Sequence, residues 1–309
     1  MRMGPRLTPL PATLPAVFTS AEARAAGIGP HRLGGPDLRH LARGLYARTD
    51  RPVDAAQIAA AVQRDHPDVV VWGTSAAELL EIPLPRRLEV TPQDPVHLAS
   101  SRARRDTEFV TWHRISEGTL SVAHAGVRVT SRIQTLLDLR GILSVDELTA
   151  AADHLVRIPR PWCEGRRDPY ATIAELRASA AAVAGHGAPG LRAAIEQARV
   201  GSDSPAETAL RLGLLRAGLP TPALNAPIFE ARVALGEPDL SWPEYRVCLE
   251  NEGPSHLTRE QLEKDIRRGE TRERHGWKEV RTTATDLRHG AARAVDRVSG
   301  ALRGRGWRG

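Results

Sequence analysis

The segment Tyr245-Arg-Val-Cys-Leu-Glu-Asn-Glu252 constrains this chain most, because an apolar run of strand length leads straight into two acids. Upstream, Glu237–Trp242 reads as a second strand, joined to Tyr245–Asn251 at the tight turn Pro243-Glu244. Side chains alternate along a strand, so Glu250 and Glu252 share one face and Val247 and Leu249 the other. Asp239, across the hairpin, reaches the acidic side. Like charges gathered this closely repel, and a divalent cation is the ordinary remedy. Magnesium, with manganese as its substitute, takes oxygen ligands: one or two carboxylates, water and a substrate phosphate. Such an ion activates water at neutral pH and offsets charge that builds on a phosphodiester.

The remaining chain sets the context. At 309 residues it is long enough for two or three domains, at roughly 100–200 residues each. With 41% hydrophobic and 26% charged residues, it has the make-up of a globular protein. No stretch approaches the ~18–20 apolar residues of a membrane span. The first residues lack a clean apolar core followed by a cleavage site, so no secretory signal and a cytoplasmic location are expected. Two cysteines, Cys163 and Cys248, are too few for a disulfide scaffold.

The net charge of +6 is unevenly spread. Only Lys264 and Lys278 are lysines, and arginine supplies the rest. Residues 1–50 carry a net of +4 and residues 266–309 a net of +7, which leaves −5 between them. Positive ends suit a polyanion such as DNA.

Residues 1–50 read as an N-terminal winged helix. Ser20 caps a short helix that stops at Gly27, Ile28–Gly35 has room for one short second helix, and Leu38–Arg48 alternates as a two-stranded wing. Arg32, Arg39, Arg43 and Arg48 are the candidate phosphate contacts. Residues 51–158 read as a mixed α/β middle domain. Helices are expected at Ala55–Arg64, Thr74–Ile82, Ile133–Leu139 and Val145–Val156; strands at Val69–Gly73, Leu88–Thr91, Phe109–Ile115 and Val127–Thr130. His97, His113 and His124 are scattered, without catalytic spacing. Residues 159–203, broken by Pro and Gly around two alanine-rich helices, read as a helical connector.

Residues 204–309 hold the sharpest pattern. Ser204 caps a helix with Glu207 at its third position, Leu210, Leu214 and Leu215 supply an apolar face, and Gly218 ends it. The charged helix that follows the hairpin carries Lys264, which can reach back toward the acids, and Trp277 reads as a core residue.

In order and spacing, these residues resemble the PD-(D/E)XK nuclease superfamily, in its branch near the very-short-patch mismatch-repair endonucleases. The resemblance runs from Ser204, Pro205 and Glu207 through Asp239, Leu240, Trp242 and Pro243 to Glu250, Glu252, Gly253 and His256. It continues through Asp265, Arg268, Gly276, Trp277, Arg281, Thr282 and Thr283. It implies a restriction-endonuclease-like mixed sheet flanked by helices, so that the whole is a multi-domain α/β chain. Glu207, Asp239 and Glu250 would ligate magnesium, Glu252 would be a further ligand or base, and His256 would protonate the leaving oxygen or hold phosphate. Lys264, Arg267, Arg268 and Arg281 would face the nucleic acid. The superfamily's third motif position is usually lysine; here it is Glu252, and an acid is common there in the near branch. Residues 15–158 resemble, more weakly, the winged-helix proteins of the abortive-infection type IV antitoxin group. That likeness implies DNA binding with transcriptional autoregulation, and a protein partner such as a toxin. The reading is therefore a metal-dependent DNA endonuclease, or a winged-helix regulator whose nuclease fold is inactive.

Overall fold

The computed structural model describes residues 8–91, 94–102, 104–230, 232–252 and 259–309. The chain is mixed α/β and divides into two compact units, the first ending at Leu139 and the second running from Arg140 to Gly309. No helix among the described residues is long and apolar enough to cross a membrane.

The first unit opens with β1 (Val17–Thr19) and α1 (Ser20–Ala25). Thr19, not Ser20, caps α1: its hydroxyl accepts from the Glu22 amide at 3.3 Å, and the Glu22 carboxylate accepts from the Thr19 amide at 2.7 Å. The expected second helix is a single 3-10 turn, Pro30–Gly34. The two strands expected over Leu38–Arg48 are present as β2 (Leu38–Ala42) and β3 (Leu45–Arg48), and β1 joins them in the order β1-β3-β2. Leu14, Phe18, Ala23, Ile28 and Leu38 form the core beneath. Next come α2 (Ala55–Asp65), β4 (Val70–Val71), α3 (Gly73–Leu79), β5 (Val96–Ser100), β6 (Val110–Arg114), β7 (Ser121–His124), β8 (Val127–Thr130) and α4 (Arg132–Asp138). The strands build a mixed sheet in the order β6-β5-β4-β8-β7.

Three expectations for this stretch are corrected. Leu88–Thr91 is not a strand: Arg86–Leu88 forms a 3-10 turn behind Pro83 and Pro85, which have no amide to give a ladder. Thr74 lies inside α3, whose cap is Trp72, without a side-chain hydrogen bond. Two of the three scattered histidines meet, because β5 and β6 pair in parallel with His97 beside Thr111 and His113 beside Ala99. His97 Nδ1 and His113 Nε2 are 2.8 Å apart, with Trp72 stacked on His113. Burial lowers both rings, His113 to about 4, so at neutral pH they form an uncharged hydrogen-bonded pair.

The second unit begins with α5 (Val145–Val156), α6 (Pro161–Glu164), α7 (Ile173–Ala181) and α8 (Ala188–Gln197), followed by α9 (Pro205–Arg216). Helix α5, read from sequence as part of the middle section, packs against α8 and α9. A buried charge pair ties these helices together. Asp153 on α5 meets Arg211 on α9 at 2.7 Å, and Asp153 also accepts from the Thr208 hydroxyl and the Arg199 amide, each at 2.7 Å. Both side chains are at most 2% exposed, so either alone would leave an unpaired buried charge.

Then follow β9 (Ala223–Leu224), the hairpin β10 (Ile228–Glu230) and β11 (Val233–Gly236), β12 (Leu240–Trp242), β13 (Val247–Glu252), α10 (Arg259–Arg274), β14 (Lys278–Thr283) and α11 (Arg288–Arg303). The sheet order is β14-β13-β12-β9, so the acid-bearing hairpin β12–β13 lies at its centre. β13 pairs antiparallel with β12 and parallel with β14, which makes the sheet mixed. Val247 and Leu249 face Leu210 and Leu214 of α9 and Ala294, Val298 and Leu302 of α11. Cys248, on the opposite face, packs with Ile228, Leu235 and Trp277. It is a free, buried thiol, pushed up to about 12 by burial.

Candidate active site

Each carboxylate is placed by a different element. Glu207 stands in the first turn of α9, where Ser204 caps the helix by accepting from the Glu207 amide at 3.2 Å. The Glu207 carboxylate accepts from the Ser204 hydroxyl at 2.8 Å, the Asp203 amide at 2.8 Å and the Asn225 side-chain amide at 2.7 Å. Burial raises its pKa, and these hydrogen bonds pull against that rise.

Asp239 directly precedes β12, next to the pair Leu240–Leu249. Its Oδ2 accepts from the Asn251 amide of β13 at 2.7 Å, and its carbonyl accepts from the Asn225 amide at 3.1 Å. Asn225, held at a positive φ of 43°, therefore ties Glu207 to the Asp239 backbone. Sequence reasoning missed it: a single asparagine in a loop carries no spacing signal. Burial pushes the Asp239 carboxyl up to about 7 despite the Asn251 hydrogen bond, and the negative charges of Glu207, Glu250 and Asp203 add to the rise.

Glu250 and Glu252 lie on β13 with arginine partners. Glu250 Oε1 accepts from Arg272 Nη1 at 2.7 Å, and Glu252 Oε1 accepts from Arg281 Nη1 at 3.1 Å. Among the described residues, no group of three or more His, Cys, Asp or Glu side chains is arranged to hold a metal ion. Glu207 is bound to its own helix start, and Arg272 draws Glu250 to itself. The donors around Asp239 are nonetheless hard oxygens, and among the described residues Glu207 and Asp239 have no cationic hydrogen-bond partner, while magnesium needs only one or two carboxylates besides water and phosphate. By chemical type Asp239 and Glu250 are the oxygen donors such an ion takes, with Glu250 at present bound to Arg272.

Several candidate DNA contacts are already engaged. Arg32 forms a two-pronged pair with Asp37 at 2.7 and 2.5 Å, and Arg48 one with Asp50 at 2.9 and 2.7 Å. Both arginines are largely buried, and both brace the head rather than present charge. Arg39 is exposed and stands over the Phe109 ring, and Arg43 is exposed at the wing turn. On α10, Lys264 and Arg267 are exposed, and Arg268 lies 3.5 Å from Asp265. Arg281 is shared between Glu279 and Glu252. His256 lies outside the described residues. Arg272 and Glu279, which no sequence motif singles out, belong to the site's charge pattern. A helix charged on nearly every face gives no sign that one of its arginines is 1% exposed. Set against known proteins, the chain matches no family model and no curated protein.

Proposed function

We propose that the second unit is a metal-dependent endonuclease centre that hydrolyses phosphodiester bonds in DNA, in a chain that works in the cytoplasm. The observation that carries this reading is Asp239: its carboxyl is pushed up to about 7 beside Glu207 and Glu250, at the open end of a central hairpin. Burial raises this carboxyl first and the neighbouring acids add to it, a setting that favours a bound cation, and its oxygen donors suit magnesium or manganese. When bound, that ion supplies water activation and offsets the charge that builds on the phosphate. Asp239 and Glu250 hold it, Glu207 fixes the approach of α9 through Asn225, and Glu252 lies one alternation further along the same strand face. Lys264, Arg267 and Arg268 on α10 supply positive charge for the nucleic-acid backbone. In the first unit the short helix, 3-10 turn and wing support a DNA-binding head, with Arg39 and Arg43 as its exposed cations.

A second reading has an observation of its own. Glu250 and Glu252 are each neutralised by an arginine, as in a nuclease-like platform that has given up catalysis and serves a winged-helix regulator with a protein partner such as a toxin. Titrating magnesium and manganese into the chain with duplex, mismatched, nicked and single-stranded DNA separates the two. Metal-dependent cleavage of any form supports the nuclease; binding without cleavage at every metal concentration supports the regulator.

A further inference from the structure

The proposed chemistry leaves a chain of alternating charge beneath the carboxylates unexplained. Arg272, on α10, is 1% exposed, and its Nε donates to the Leu235 carbonyl of β11 at 2.9 Å. Its Nη1 donates to Glu250 Oε1 and to Glu279 Oε2, each at 2.7 Å. Its Nη2 is buried without a hydrogen-bond partner. Glu279 stands on β14 beside Cys248 of β13, and its other oxygen accepts from Arg281 Nε at 2.7 Å. Gly236 closes over the guanidinium: a Cβ there would lie 3.3 Å from Arg272 Nη2 and 3.0 Å from Arg268 Cδ. A buried guanidinium is thus wedged between a candidate metal ligand and a second carboxylate fixed by strand register, with no room to swing away.

We propose that Arg272, shared between Glu250 and Glu279, is a resident counter-cation that sets how tightly the site takes a divalent ion, and that Glu279 tunes it. The proposal rests on the reading of Asp239 and Glu250 as ligands. An incoming cation is attracted by Glu250 and repelled by the guanidinium beside it, and both forces are strong where water is scarce. Glu279 takes up part of the Arg272 charge and so lessens the repulsion. Without its charge, the whole guanidinium bears on Glu250. Without the Arg272 charge, Glu250 turns fully to the ion, at the cost of two half-buried carboxylates that have lost their partner. A purely structural bracing role makes a different forecast, since either change would then lower stability without moving metal affinity in opposite directions.

The test is calorimetric titration of magnesium, and separately of manganese, into the full chain without DNA, with folding checked by circular dichroism. Glu279→Gln keeps the volume and should weaken binding on the order of tenfold; Arg272→Gln should tighten it by a similar factor. Glu244→Gln, at the turn on the far end of the hairpin, removes the same charge as Glu279→Gln and should leave Kd unchanged. Opposite shifts from the two buried variants support the proposal, and equal, same-sign or absent shifts overturn it. Should Arg272→Gln fail to fold, Glu279→Gln against Glu244→Gln decides; should Glu279→Gln fail, tightening by Arg272→Gln decides. If the wild type binds neither ion, this proposal and the reading of the site fall together. If the wild type binds, Asp239→Asn abolishes binding and Glu279→Gln changes nothing, this proposal alone falls.

Discussion

Asp239 concentrates the conflict between folding and function. Its folded pKa of about 7 lies above its ordinary value of 3.8, so the native state holds the proton more readily than the unfolded chain. The stability that follows is fully present below about pH 4 and is lost as pH rises through 7. Above that, folding carries an ionised carboxylate among other acids. Asp239→Asn mimics the protonated form and keeps the oxygen that accepts from the Asn251 amide. At pH 8 without metal it should be more stable than the wild type by about 1–3 kcal/mol, an amount discounted for partial exposure. Below pH 4 the difference should vanish. Urea unfolding at both pH values checks this, and equal stability at pH 8 would show that Asp239 carries no strain. On the proposed reading a proton and the cation would compete for the Asp239 carboxylate below pH 7, so metal affinity should fall as pH drops.

At the scale of elements, the hairpin was legible because its physics is local. The apolar alternation of Val247 and Leu249, the turn at Pro243 and the acids after Leu249 all lie within one short segment, and they put β12 and β13 at the centre of the sheet. The helix end at Ser204 was legible for the same reason, being capped within three residues; the helix Val145–Val156 was read from its pattern, and the structure adds the cap at Ser144. What stayed hidden depends on partners distant in sequence. The His97–His113 pair needs the parallel register of β5 and β6, the Asp153–Arg211 pair needs α5 laid against α9, and burial of Arg272 needs β11 above it. The candidate carboxylates could be named, but not that Arg272 and Arg281 neutralise two of them. Helix packing can be tested at Gly213 of α9, where a Cβ would meet the Gly290 carbonyl at 2.8 Å and Ala291 Cβ at 2.9 Å. Both neighbours belong to the left-handed first turn of α11 and cannot yield cheaply. Gly213→Ala should therefore cost about 1–3 kcal/mol, although alanine is the better helix former. A rise in melting temperature would show that α9 and α11 pack less closely.

At the scale of the whole molecule, positive charge at both chain ends pointed to a polyanion, but the structure divides those charges by role. Arg32 and Arg48 are taken up by Asp37 and Asp50, which leaves Arg39 and Arg43 as the head's candidate phosphate partners. Replacing Arg39 and Arg43 together by Gln should weaken binding of any duplex and lower the slope of log affinity against log salt by roughly one for each phosphate no longer neutralised. Arg32→Gln or Arg48→Gln should instead destabilise the fold and leave that slope in place. Fluorescence anisotropy at a series of salt concentrations separates the two pairs, and an unchanged slope in the Arg39/Arg43 variant would place the DNA elsewhere.

The central claim, that Asp239 and Glu250 form a metal-dependent phosphodiesterase centre, meets its most direct test in Glu250→Gln. The substitution keeps the side-chain volume and removes the charge a cation needs. Cleavage of DNA should be measured in magnesium for wild type and variant, with DNA affinity measured in parallel without metal. The wild type should cleave, the variant should lose activity by orders of magnitude, and its metal-free DNA affinity should hold or rise with one repelling charge gone. Wild-type cleavage that Glu250→Gln leaves intact, or a wild type that cleaves nothing with any divalent metal, would contradict the claim.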